Sequence, residues 1–224
     1  MKRLFLSIII ALCFMVKVTN VVAVDNSSYI LLDVSSKRVL YEKNKDKRFL
    51  TASIAKIMTC IVAIEYGNLF EEYVVDYDTT TVEGSSIYLQ YEDEILLYDL
   101  LCGLMLRSGN DAATLIAKNV FKSSEDFVFH MNYLAREIKM TNSTFENPTG
   151  LNNDTFNYST AYDMALLMSY AINNEAFYHI STKKTHSVKT KDNTYYWVNK
   201  HKLIANTNYV KSGKTGVAPV FCEI

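Results

Sequence analysis

A lysine at position 56 interrupts a helix-patterned apolar stretch, T-A-S-I-A-K-I-M-T over residues 51–59. From Thr51 to Tyr66, apolar residues recur at 54, 57, 58, 61 and 64, the spacing of a helix with one buried stripe. A lysine drawn into such a stripe loses water, and burial disfavours its charged form. Ser53 lies three residues earlier, on the same helical face. At a first helical turn its hydroxyl would sit beside free backbone N–H groups and the positive end of the dipole, where an oxyanion is favoured. A serine hydroxyl is a weak nucleophile until a base takes its proton, and a desolvated lysine with a pKa near neutrality can take it. The same four residues also describe a capping serine beside a snorkelling lysine.

Two further triplets bear on that choice. Ser108-Gly109-Asn110 falls between two helical patterns and offers a hydroxyl and an amide from a short loop. Lys214-Thr215-Gly216 falls on a late extended segment, where it would set a cation and a hydroxyl along an edge. Its glycine would let a ligand backbone come close. Gly213-Lys214-Thr215 is not a phosphate-binding loop, because that motif needs a glycine where Asn208 stands. A Ser-His-Asp hydrolase elbow needs G-x-S-x-G, which is absent. His130, His179, His186 and His201 have no ligand spacing and read as surface or strand residues.

Lys2 and Arg3 precede a largely apolar run from Leu4 to Val16, and Val21-Val22-Ala23 is a small-residue cleavage site. Residues 1–23 thus read as a secretory signal peptide, with an uncleaved anchor as the alternative, and the protein is expected in the extracellular or cell-wall space. The remaining 24–224 carry 20 basic and 24 acidic residues, a net charge of −4, which suits no nucleic acid. Cys60, Cys102 and Cys222 are an odd set without C-x-x-C, so buried free thiols are expected rather than a disulfide framework.

Strands are expected at 29–35 and 38–42, turning at Ser36-Lys37, and in a second hairpin at 186–191 and 194–201. Tyr209 to Gly216 reads as one more strand. Helices are expected at 51–66, ended by Gly67, and at 98–107, 111–121, 124–139 and 159–173, with a turn-rich loop at 147–157. Strands, then helices, then strands make an α+β fold, with the terminal strands in one sheet and a helical insertion.

S-x-x-K, a middle S-G-N and K-T-G, in this order, resemble the low-molecular-mass penicillin-binding proteins, the D-alanyl-D-alanine carboxypeptidases. The likeness covers roughly residues 28–217 and includes 101–113, Asn147-Pro148-Thr149-Gly150-Leu151 and 158–165. It implies the β-lactamase/DD-peptidase-like fold: an antiparallel sheet flanked by helices, with a helical subdomain. It implies Ser53 as nucleophile toward peptidoglycan stem peptides ending in D-Ala-D-Ala, with Lys56 as base. Ser108 would relay a proton to the leaving amine, and Asn110 would fix Lys56 and the substrate amide. Lys214 and Thr215 would hold the terminal carboxylate beside Gly216. The Ser53 and Val217 amides would form the oxyanion hole. β-Lactams would acylate Ser53, and no cofactor would be needed. A β-lactamase is the nearer rival, but its E-x-x-L-N pattern fails, since Glu146 precedes Leu151-Asn152 by five residues. Only Val217 to Ile224 follow the K-T-G triplet, where the family continues with further strands, so an incomplete sheet and a catalytically impaired remnant form the other expectation. Neither a small C-terminal β-domain nor an amphipathic membrane anchor is recognisable after the triplet.

Overall fold

The computed structural model describes residues 27–216. The expected signal peptide, Val217 and Cys222 lie outside the described residues. Strands β1 (Tyr29–Leu32) and β2 (Val39–Lys43) form an antiparallel hairpin, with Tyr29 opposite Lys43 and Leu32 opposite Val39. Asp33 ties the turn by accepting from the Ser36 amide at 2.7 Å. Lys37 takes the left-handed conformation the reversal needs, with φ 57°. The short β3 (Phe49–Leu50) then leads into a 3₁₀ turn, Ala52–Ala55, and directly into α1 (Lys56–Tyr66).

Helix α1 is the hub of the core. Met58, Cys60, Ile61, Val62 and Ala63 are fully buried, so the helix is enclosed on all sides rather than along one stripe. Gly67 ends it in an extended conformation, with φ −95° and ψ 167°, rather than as the expected left-handed cap. Close packing explains that glycine: a Cβ there would come within 2.5 Å of Leu97 Cδ2. The region read as irregular holds β4 (Glu72–Val74), the helical turn α2 (Tyr77–Thr80) and β5 (Glu94–Leu96), with β4 and β5 antiparallel. Then come α3 (Leu97–Arg107), α4 (Asn110–Val120) and α5 (Ser124–Glu137). Ser123 caps α5 by accepting from the Asp126 amide at 3.1 Å.

Strand β6 (Tyr158–Ser159) pairs with β3 and precedes α6 (Ala161–Ala171), which Thr160 caps by accepting from the Asp163 amide. Helix α7 (Glu175–Ser181), which the sequence reading missed, follows. Strands β7 (Thr185–Lys189) and β8 (Thr194–Val198) form the second expected hairpin, and α8 (Lys202–Asn206) closes the set. Helix α1 packs against α3, α4, α5, α6 and α7, while β7 and β8 lie on α3 and β1 lies on α6.

The class is α+β, as expected. Among the described residues, however, the strands form four separate two-stranded ladders, so the two hairpins do not share a sheet. Residues 209–216 form no ladder either. Side chains hold that segment instead: the Ser212 hydroxyl donates to Ser181 Oγ at 2.6 Å, and Gly213 packs on the His201 ring. Cys60 and Cys102 are free and buried. No helix among the described residues is long and apolar enough to cross a membrane.

Candidate active site

Ser53 sits on the 3₁₀ turn, and Lys56 is the first residue of α1. The backbone makes a forced bend just before the serine. The Thr51 amide donates to the Asn157 carbonyl at 2.9 Å, anchoring the entry, and Ala52 adopts φ 45°, a conformation alanine rarely takes. Beyond the bend Lys56 runs inward. Lys56 is fully buried, and its amine meets three oxygens. Ser53 Oγ is at 3.3 Å, Asn110 Oδ1 at 2.7 Å, and the Thr149 carbonyl closer still.

The chemistry of those three oxygens gives the contact a direction. A carbonyl and an amide oxygen can only accept, whereas a hydroxyl can also donate. A neutral amine has two hydrogens and one lone pair. Thr149 and Asn110 take the hydrogens, and the lone pair is left for the Ser53 O–H. Lys56 is thereby posed as a base toward Ser53.

The opposite side is built at the α3–α4 junction. Ser108 caps α3 in the left-handed conformation, with φ 67°, and Asn110 opens α4 two residues later. This tight reversal brings both side chains to one place, where Ser108 is 8% and Asn110 3% exposed. Lys214 Nζ donates to Ser108 Oγ at 2.9 Å and to the Thr215 carbonyl at 2.7 Å. The Gly216 backbone lies against the nucleophile, since a Cβ there would be 3.1 Å from both the Ser53 and the Ile54 nitrogens. The triplet at 214–216 therefore closes on the mouth of the 3₁₀ turn.

Burial and the neighbouring cations bring the Lys56 amine down to about 7. Burial acts first and the charge of Lys214 second, with Lys200 adding a little and Asp111 opposing. Burial, with help from Lys200, lowers Lys214 to about 8. At neutral pH the site therefore holds one amine that can lose its proton readily and one that keeps it.

A functional piece the residue types did not disclose is the 147–150 loop. Asn147 Oδ1 accepts from the Thr149 amide at 3.1 Å, the Thr149 hydroxyl at 2.9 Å and the Gly150 amide at 2.7 Å. Thr59 Oγ1 donates to the Pro148 carbonyl at 2.6 Å, tying the loop to α1. Gly150 has φ 75°, and a Cβ there would come within 1.9 Å of the Ala52 carbonyl oxygen. Only glycine fits between this loop and the forced bend. The loop text N-P-T-G was visible as a turn, but that a backbone carbonyl of Thr149 meets Lys56 has no signature in a one-letter code.

Ser53, Lys56, Ser108, Asn110, Lys214 and Gly216 are thus gathered in one place. Thr215 is exposed beside them, and Val217 lies outside the described residues. Glu146 is exposed and accepts from the Phe156 amide at 2.7 Å, which supports the loop. Among the described residues there is no cluster of metal-ligating side chains.

The site thus sets a hydroxyl beside a buried amine, with a second hydroxyl, an amide and a second amine close by. The profile of the D-alanyl-D-alanine carboxypeptidase family matches residues 15–219, and the chain belongs to that family. It is 32% identical to the D-alanyl-D-alanine carboxypeptidase DacF of Bacillus subtilis, over 90% of this chain and 54% of that protein. It is also 32% identical to DacC of Escherichia coli, over 87% of this chain and 50% of the relative. The chain thus spans about half the length of these curated relatives. Among solved structures, the D-alanyl-D-alanine carboxypeptidase of Mycobacterium tuberculosis superposes with a TM-score of 0.81 at 26% identity, covering 86% of this chain and 73% of that one. A mutant of the Streptomyces K15 DD-transpeptidase also superposes with a TM-score of 0.81, at 27% identity, covering 86% and 80%.

Proposed function

We propose that this chain is a serine D-Ala-D-Ala carboxypeptidase acting on peptidoglycan stem peptides outside the cytoplasmic membrane. The observation that carries this reading is the directed contact at Lys56, whose two pure acceptors leave the lone pair for Ser53. Neutral Lys56 takes the Ser53 proton as Oγ attacks the carbonyl between the last two D-alanines. The oxyanion faces the Ser53 amide, with the Val217 amide as its second donor. Lys214 donates to Ser108 Oγ, so the Ser108 O–H is left to protonate the leaving amine, and Ser108 regains a proton from the Lys56 ammonium, which becomes neutral again. The C–N bond breaks, D-alanine departs, and water then cleaves the Ser53 ester. Lys214 and Thr215 hold the terminal carboxylate. Asn110 uses one amide hydrogen on the Glu83 carbonyl at 2.7 Å, and the other serves the substrate amide.

β-Lactams, which carry the same kind of reactive carbonyl beside a carboxylate, acylate Ser53 and remain. The position of Glu146 does not favour rapid release of that adduct by a β-lactamase route. The test is incubation of the purified chain with diacetyl-Lys-D-Ala-D-Ala. Released D-alanine, together with stoichiometric labelling by a fluorescent penicillin, supports the reading. A folded chain that releases none is a binding remnant, and many turnovers of nitrocefin would make it a β-lactamase.

A further inference from the structure

The direction of the Lys56 contact depends on which way the Asn110 side-chain amide faces. With Oδ1 toward Lys56, the lysine gives Asn110 a hydrogen and keeps its lone pair for Ser53. With the amide rotated by half a turn, an NH₂ group would face Lys56 and occupy that lone pair, and the base would be lost. Something must therefore hold the amide in one sense. The partner on its far side is the Glu83 carbonyl, which accepts from Nδ2 at 2.7 Å and could not face an amide oxygen. The same strand of loop also receives the Asn110 backbone, whose N–H donates to the Ser85 carbonyl at 2.6 Å.

That loop has no ladder to fix it, but it has Asp111. The buried Asp111 carboxylate accepts from Ser86 Oγ at 2.5 Å, from the Ile87 amide at 3.1 Å and from the Leu89 amide at 3.2 Å. It is adjacent in sequence to the residue whose amide the loop orients. Gly84 lies between the two loop carbonyls with φ 88°, and a Cβ there would come within 2.6 Å of Asn110 Nδ2. We propose that Asp111 is a positioning residue for the reaction: its carboxylate clamps the 83–89 loop so that Glu83 locks the Asn110 amide with its oxygen toward Lys56. This rests on the acyl-transfer reading above and deepens it, because it names what keeps the Lys56 lone pair for Ser53 rather than for the Asn110 NH₂.

Asp111 also acts through its charge. The groups that face Lys56 are Lys214 and Lys200, which lower its proton affinity, and Asp111, which raises it. Tyr195 is the other titratable group in the field of Asp111. Asp111→Asn keeps the shape but removes the charge and weakens the clamp. Its acylation rate by a fluorescent penicillin falls by roughly 10- to 100-fold, the cost of a catalytic group misplaced by about an ångström. Its acid limb moves to lower pH, since the charge that favoured protonated Lys56 is gone. Gly84→Ala disturbs the same amide with the carboxylate intact. It loses rate by a similar factor without that downward movement.

A role confined to folding would lower the melting temperature and the active fraction and leave the acid limb in place, and this result overturns the proposal. So does a folded Gly84→Ala that acylates at the wild-type rate, which decides the matter even where Asp111→Asn does not melt cooperatively. Titration of the Lys56 side chain by ¹³C NMR gives a second readout. A lower midpoint in Asp111→Asn supports the action of its charge on Lys56 and an unchanged one overturns it, while the Gly84→Ala rate decides the clamp, and the titration is readable even in a wild-type chain that releases no D-alanine. That last case sinks the carboxypeptidase reading separately.

Discussion

Lys56 and Lys214 belong to one site and share a residue type, yet the molecule supports them by opposite means. Lys56 rises from a helix enclosed by five others, and three oxygens from three separate segments surround its amine. Lys214 hangs on a stretch without a ladder and touches one hydroxyl and the carbonyl next door. Burial lowers both, to about 7 and about 8. The comparison teaches that a base must be built where water is excluded and partners are fixed. A recognition cation needs only to be held near the mouth and kept charged.

The sharpest way to break this contrast is to remove each amine in turn. Lys56→Met should lower acylation of Ser53 by about 10³-fold or more, as loss of a general base does, for peptides and penicillins alike. Ser53→Ala should abolish labelling altogether, and labelling that persists would refute the nucleophile. Lys214→Met should weaken binding of peptides with a free terminal carboxylate by about 10²-fold, the loss of one charge-assisted contact, beyond a loss of acylation rate that an amidated peptide shares. Equal losses on both peptides would show that Lys214 serves the chemistry rather than recognition.

The pH profile sharpens the same comparison. Acylation needs Lys56 neutral and Lys214 charged. The rate should therefore rise through about 7 and fall through about 8, a narrow bell, and Lys214→Met should lose the alkaline limb. Stability supplies two smaller tests. Gly150→Ala forces a Cβ onto the Ala52 carbonyl and should cost about 3 kcal/mol or more, whereas Ser212→Ala removes one hydroxyl contact of the late segment and should cost about 1 kcal/mol. Thermal melts decide between them. Both lysines have folded-state pKa values below the unfolded 10.5, so the unfolded chain binds more protons above pH 7. Melting temperature should therefore rise modestly from pH 7 to 9, and less steeply in Lys56→Met.

Much of the site was legible because its chemistry is carried by side chains at fixed spacings. Ser53 and Lys56 share a face by helical arithmetic, and Ser108 and Asn110 flank a single glycine between two periodic segments. The helices were legible for the same reason. What escaped was held by backbone. The Thr149 and Glu83 carbonyls belong to any residue, and the left-handed Ala52 defies its own propensity because Asn157 and Gly150 fix it from outside. The late segment was misread as a strand because its alternation suits one, while ladder partners are a property of the whole fold. Helix α7 was missed because it is short and follows Asn173-Asn174, which reads as a turn. Val217, read as an oxyanion donor, lies outside the described residues.

The burial of Lys56 also makes reactivity a gauge of hydration. A chain still unfolded, or one whose core has opened around the first helix, gives that amine back to water. It then carries an ordinary ammonium and leaves Ser53 an ordinary alcohol. On the proposed mechanism, competence toward an acyl donor arrives together with the closed interior, and a penicillin adduct would count natively packed molecules rather than total protein.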